Sequence, residues 1–389
     1  MRRTINQYNT AFRLICLYPL VNISVAYFFN KQGLRTTYIV FSLIILILLG
    51  IKKKLSSTIN TNYFAFVIAS VVAIVLSYLN NPSSQSILNG LVFLIFLLFL
   101  YTYSVEEIIK RFEKYSIRNR RYFIYVEIIY LIVLLISCVY GDGIDMKGWN
   151  TTSLKGPYEI NHLLAYEILV FSAYSLKKWY ICKSKFYFVN SIVLALLVFM
   201  TGVRSALLAL AILVFYYLIK MNYNRRIIVC VLGLFVIAIV ATTTNVFDVV
   251  LSKTRISIER GSISSSRPLI FASSLKAYFN TWNSFFDYLF GIGLDRLTLF
   301  NSKSIHMAIH AHNDFIDALA IFGLTGFALY MYGVIRLFSR NRKKWLVLFY
   351  FILAFFNGFY QYQFIVIGLP ILLISFDIHK NNRKENFLA

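Results

Sequence analysis

ILNGLVFLIFLLFLYTY, residues 87–103, runs for 17 positions without a charged side chain. As an α-helix rising about 1.5 Å per residue it is about 26 Å long, close to the roughly 30 Å hydrocarbon thickness of a bilayer. Working outward from it, comparable runs occur at 10–29, 38–51, 63–79, 122–140 and 163–176, and then at 186–202, 206–219, 227–242, 315–337, 345–356 and 364–376. Twelve such runs predict an all-α, polytopic membrane protein organised as a single integral domain over residues 1–389. The composition agrees: 59% of the 389 residues are hydrophobic and only 14% are charged, with a mean hydropathy of +0.68. A soluble globule has no interior large enough to hide that much apolar surface.

The net charge of +23 would suggest a nucleic-acid partner in a soluble chain, but its distribution points elsewhere. If the N-terminus is cytoplasmic, the inner segments, with Arg13 at the inner end of the first span, carry 26 Lys and Arg, against 5 in the short outer connections. That asymmetry is what retention of positive charge in the cytoplasm produces, so the basic excess reads as an orientation signal and no nucleic acid is expected. MRR followed by an apolar run mimics a secretory leader. No small-residue cleavage site follows, which predicts a retained first span. Cys16, Cys138, Cys182 and Cys230 lie in or beside apolar runs without ligand spacing and read as packing residues.

One connection is long: 243–314, on the outer side, 72 residues with seven Lys and Arg. Long loops are exempt from the charge rule and usually have a function. Phe271, Leu275, Tyr278, Phe279, Trp282 and Phe286 recur within it at spacings of three and four. They predict one amphipathic helix, capped by Ser266, with Pro268 in its first turn and Gly291 to Gly293 at its end. The expected place for that helix is the outer membrane interface or over the spans.

An ionisable group inside a span costs about 2.5–3.5 kcal/mol on insertion scales, so each one needs a reason. Arg13, Arg336 and Glu127 lie toward inner ends, where structural roles suffice. Glu167 and Asp317 lie near outer ends, where functional and structural readings both stand. Arg204, in TGVRSALLAL, occupies the outer N-terminus of a helix, a position that already favours anions. A cation there points to a bound anion, or else to a lipid phosphate or loop carboxylate. Arg267 repeats the arrangement at the start of the loop helix, and two guanidinium forks suit a diphosphate. Three of the five histidines, His306, His310 and His312, fall within seven residues. Zinc binding, simple solvation, and acid/base chemistry or substrate positioning by His312 are the competing readings. The zinc reading lacks a clear fourth ligand.

TGVRSALLAL, then a long loop containing SSSRPLIF, then HAHNDFIDALAIFGLTGFALYMYG resembles the bacterial O-antigen ligase and Wzy-type polymerase superfamily over 186–337. The most specific part is a His, then Asn, Ser or Gln, then nine residues and glycines at three-residue spacing. Here it reads His312, Asn313, Gly323 and Gly326, but Leu329 stands where a third glycine is expected and Gly333 comes later. The resemblance implies glycosyl transfer from undecaprenyl-diphosphate-linked oligosaccharide at the outer, periplasmic face of a bacterial inner membrane, without cofactor or metal. It implies that Arg204 and Arg267 hold the donor diphosphate and that His312 engages the acceptor hydroxyl or assists its deprotonation. Asn313, Asp317, Glu167 and His310 are candidate supporting residues. The implied partners are the lipid-linked donor and the bilayer, with room for a chain-length regulator.

The form HNDFIDAL and the missing glycine favour a polymerase joining repeat units over a ligase that transfers the glycan to lipid A core. A lipid-linked sugar flippase or transporter is the non-enzyme alternative. Transporters concentrate polar groups near the bilayer midplane, whereas the candidates here cluster at one edge.

Overall fold

A computed structural model describes residues 2–29, 31–50, 57–140, 144–145, 153–224, 227, 267–282, 284–341, 344–360 and 362–376. Among the described residues, nine helices come before residue 221: α1 (Arg2–Phe28), α2 (Lys31–Gly50), α3 (Ser57–Asn80), α4 (Ser84–Tyr103), α5 (Glu106–Arg118), α6 (Arg120–Tyr140), α7 (Asn161–Cys182), α8 (Lys185–Thr201) and α9 (Arg204–Lys220). A two-residue antiparallel pair, Ile144–Asp145 with Ser153–Leu154, precedes α7. Among the described residues of the second half are α10 (Arg267–Asn280), α11 (Phe285–Phe290), α12 (Gly293–Ile305), α13 (Asp314–Asn341), α14 (Lys344–Phe356), α15 (Gln363–Ile367) and α16 (Leu369–Ser375).

Six of these helices, α1, α2, α3, α4, α6 and α13, are long and apolar enough to cross a membrane, and α8 and α14 are shorter apolar helices. The chain is therefore an all-α, multi-pass membrane protein. Along α2, α3 and α6 most of each apolar window stays uncovered by protein, with Ile47, Val72 and Leu135 among the exposed side chains. Such surfaces are stable only with lipid as their solvent. At the centre, α7 is buried at every position from Leu164 to Lys178, which lets it carry polar groups that a lipid-facing helix does not tolerate. The candidate span 227–242 and Cys230 fall largely or wholly outside the described residues. The last apolar run forms two short buried helices, α15 and α16, divided at Gly368.

Contacts sort the bundle into two ends. At one, Arg13 Nε donates to Asn119 Oδ1 at 3.0 Å, Lys177 Nζ meets Glu113 Oε1 at 2.9 Å, and Arg336 Nε donates to Ser104 Oγ at 3.0 Å. At the other, Asn161 Nδ2 donates to Thr201 O at 2.6 Å, and the side-chain amides of Asn80 and Asn81 donate to Gly291 O at 3.0 and 3.1 Å. The starts of α7, α9 and α13 share this second end with the α10 to α12 segment. Arg13 and Arg336 thus have structural partners, as does Glu127, whose Oε1 accepts from Asn190 at 2.6 Å. Cys16, Cys138 and Cys182 are free thiols.

The single loop helix expected from the aromatic stripe is in fact two. Helix α10 stops at Asn280, and the Tyr278 hydroxyl donates to Tyr288 O at 2.8 Å, folding α11 back toward it. Asn280 and Thr281 are weak helix formers, and α11 restarts after Ser284 in an extended conformation. The buried face of α10 is Ile270, Ser273, Ser274, Ala277 and Tyr278, while Phe279, Trp282 and Phe286 point outward. The stripe is therefore divided, with Tyr278 packed inward and the later aromatics facing away from the protein core. Ser266 lies outside the described residues. Helix α12 was not expected; it packs on α10 through Asn301, whose Oδ1 accepts from Ser273 Oγ at 2.7 Å and whose Nδ2 donates to Ser274 Oγ at 3.0 Å.

Helix α13, expected as one continuous span, is broken at Gly323, with φ 69° and ψ −169°. This conformation is essentially confined to glycine. The break frees carbonyls that the loop segment and α3 satisfy: Ile292 N–H donates to Ala320 O at 2.9 Å and Ser77 Oγ of α3 to Ile321 O at 3.3 Å. In return Thr325 Oγ1 donates to Leu289 O at 2.8 Å. The backbone at Gly291 passes so close that a Cβ on Gly323 would lie 2.4 Å from Gly291 N.

Candidate active site

Three helix starts converge at the end of the bundle where α3 and α8 finish. Arg204 opens α9 after a left-handed Gly202 and the extended Val203, and no side chain caps that helix start. Arg267 opens α10. His312, at φ 54°, immediately precedes α13. Arg204 lies close enough to Arg267 for their charges to repel, and Arg267 and His162 both act on His312 in the same way. Arg204 and Arg267, far apart in sequence, thus form one cationic patch with His312 beside it.

Asn313 explains part of the quoted pattern. Its Oδ1 accepts from Phe315 N–H at 3.0 Å and Ile316 N–H at 3.2 Å, making it the N-cap of α13, and its Nδ2 donates to Phe355 O at 3.1 Å. A short side chain bearing an acceptor is what a helix start requires. The cap fixes where His312 leaves the helix. After nine intervening residues, Gly323 supplies the break that docks the loop segment. Leu329, at the place of the expected third glycine, is partly buried against the core, and Gly333 brings α13 close to Leu100 of α4.

Asp317 is completely buried. Its Oδ1 accepts from Ala311 N–H at 2.9 Å and its Oδ2 stands 2.8 Å from His310 Nδ1. The His310 and His312 rings are 4.1 Å apart between centroids. His306 is different: it is exposed and terminates α12 in the left-handed conformation. Among the described residues no three His, Cys, Asp or Glu side chains are grouped to hold a metal ion. Glu167 is held elsewhere, accepting from Asn22 Nδ2 at 2.6 Å, Tyr130 OH at 2.7 Å and Tyr158 OH at 2.6 Å, which ties α1 and α6 to α7.

Several site residues were not singled out in the sequence. Asn357, in the turn after α14, accepts from Arg267 Nη2 with its Oδ1 and donates from Nδ2 to Tyr166 OH and Ser205 Oγ. Tyr166 OH and Ser205 Oγ lie 2.8 Å apart. Because Ser205 adjoins Arg204, this one amide ties the segments that carry both arginines. Asp314 holds the same turn, its Oδ1 accepting from Phe359 N–H at 2.7 Å. The His162 ring stacks on Tyr362 at 6.1 Å. The only signal for these residues was polarity at the ends of apolar runs, which does not reveal convergence.

Electrostatically the patch is primed for an anion. Burial, with Arg204 nearby, lowers the pKa of Arg267, and its Nη1 is buried without a partner among the described residues. A buried charged donor left without a bond is costly, and an anionic ligand would relieve that cost. Burial first, then the nearby His310, Arg267 and His162, pushes the His312 pKa down to about 2. Its imidazole is therefore neutral at ordinary pH and able to accept or donate one hydrogen bond at each nitrogen.

Residues 189–331 match the family model described as O-antigen ligase. No curated protein matches the chain. The matched stretch runs from α8 to α13 and includes Arg204, Arg267, His310, His312, Asn313, Asp317 and the Gly323 break. This stretch is similar to the O-antigen ligase family, whose members are glycosyltransferase-like enzymes acting on lipid-linked glycans. His162, Tyr166, Asn357 and Tyr362 lie outside it.

Proposed function

We propose that the protein is a surface-polysaccharide polymerase. It transfers a growing glycan from undecaprenyl diphosphate onto a sugar hydroxyl of another lipid-linked repeat unit. The proposed setting is a bacterial inner membrane crossed twelve times, with both termini cytoplasmic and the 243–314 segment, and with it the site, facing the periplasm. Convergence of Arg204 and Arg267 beside His312 is the observation that carries the reading. Cleaving an anomeric C–O bond to a diphosphate leaves an additional negative charge on the leaving group. Cations already fixed in a partly buried site stabilise that charge without reorganising. His312 engages the acceptor hydroxyl next to them, and Asn313 sets its position.

Leu329 in place of the third glycine favours polymerase over ligase, which uses the same donor and a lipid A core acceptor. The test uses purified protein with lipid-linked repeat units as the substrate. Arg267→Ala and His312→Ala are expected to lose polymer formation while remaining folded, and full activity in both variants rejects the site.

A further inference from the structure

We propose that His310, held by Asp317, is the general base that receives the acceptor hydroxyl's proton, leaving His312 as a neutral group that positions substrate. This rests on the glycosyl-transfer reading above and assigns the proton within it.

The contact geometry decides the tautomer. With Asp317 Oδ1 occupied by Ala311 N–H, Oδ2 faces His310 Nδ1 at 2.8 Å, and a carboxylate there needs the proton on Nδ1. His312 N–H also approaches this nitrogen, at 3.2 Å, but a protonated Nδ1 has no lone pair to offer it. The shorter contact to a carboxylate prevails. Nε2 of His310 therefore carries the free lone pair, the arrangement by which a buried carboxylate orients a basic imidazole.

His310 is also rigidly placed. The Ile309 carbonyl next to it accepts from Asn301 Nδ2 at 2.7 Å, and Asn301 is bound in turn by Ser273 and Ser274 of α10. The helix that begins with Arg267 thus also anchors the loop bearing His310, so the leaving-group cation and the base share one frame. His310 keeps 19% of its side-chain surface accessible while Asp317 keeps none. Burial, with His310, Arg267 and His162 nearby, depresses the pKa of the His312 imidazole and leaves it a poor proton acceptor.

In the step, the acceptor oxygen forms a bond to the donor's anomeric carbon as that carbon's bond to the diphosphate oxygen breaks. The bonding pair leaves with the lipid diphosphate, held by Arg204 and Arg267. The hydroxyl proton passes to His310 Nε2 and then to water.

The experiment measures polymerisation by reconstituted full-length protein, with undecaprenyl diphosphate binding measured separately. His310→Ala is expected to lose about 100-fold or more in kcat, to bind undecaprenyl diphosphate as the parent does, and to regain part of the loss with added imidazole. Asp317→Asn is expected to lower kcat with little change in donor KM, and it tests the assignment should His310→Ala fail to fold. A His310→Ala rate within twofold of the parent overturns the proposal, as does imidazole rescue of His312→Ala in its place. Inactive Arg267→Ala alongside active His310→Ala sinks this assignment alone, whereas active Arg267→Ala sinks the underlying reading and this assignment with it.

Discussion

Replacing Gly323 by Ala probes the joint between the broken span and the loop segment. The new Cβ would lie 2.4 Å from Gly291 N and from Leu289 O, and 2.5 Å from Leu289 C. These are backbone atoms, so no rotamer change relieves the overlap. An alanine at φ 69° and ψ −169° adds strain of roughly 1–3 kcal/mol. Separating the two segments also sacrifices the Ile292 to Ala320 and Thr325 to Leu289 bonds, about 0.5–1.5 kcal/mol each. The combined loss is roughly 2–6 kcal/mol, at the top of the range for single substitutions. Gly50→Ala is the control, because its Cβ would meet nothing within 4 Å and alanine favours a helix. Thermal unfolding of detergent-purified protein is the assay, with a drop of at least about 5 °C expected for Gly323→Ala and almost none for Gly50→Ala. If Gly323→Ala melts within a degree of the parent and keeps its activity, the broken span does not dock the loop as described.

Asn357→Asp puts a carboxylate against the Arg267 guanidinium and should raise the donor KM by about tenfold, a loss of roughly 1.4 kcal/mol, read from initial rates against lipid-linked donor. Asn313→Ala removes the α13 cap and should cost about 0.5–2 kcal/mol in stability, with kcat falling further than the melting temperature suggests because His312 shifts with the cap. The pKa of His312 is lowered from 6.5 to about 2 in the folded protein, so its contribution to stability is present above pH 6.5 and is lost as the pH falls toward 2. Between pH 7 and 5 the loss should be about 2 kcal/mol, and His312→Gln should flatten that part of a melting curve against pH. In a deletion strain, gels of surface polysaccharide should show core bearing a single repeat unit; bare core with accumulated lipid-linked polymer would instead identify a ligase.

Hydropathy alone determined the membrane class, because the local cost of placing a segment in lipid depends only on that segment's side chains and length. For the same reason the C-terminal ends of α3, α4 and α6 agree with those of their apolar runs to within a residue. Arg204, Arg267 and His312 were legible individually, since a cation at a helix start and clustered histidines are local anomalies, and the family pattern linked them. Their convergence was expected only from that resemblance, and the residues packed around them were not legible. Asn357, Tyr166 and His162 look like ordinary polar residues at span ends until tertiary packing brings the turn after α14 against α7, α9 and α10. The Gly323 break was hidden for a related reason: an apolar run reads as a continuous helix unless another backbone is present to satisfy the carbonyls that the break exposes. The His310 and Asp317 pair lay only seven residues apart in plain view, but a carboxylate chooses a nitrogen by direction and distance, and those exist only once the chain has folded.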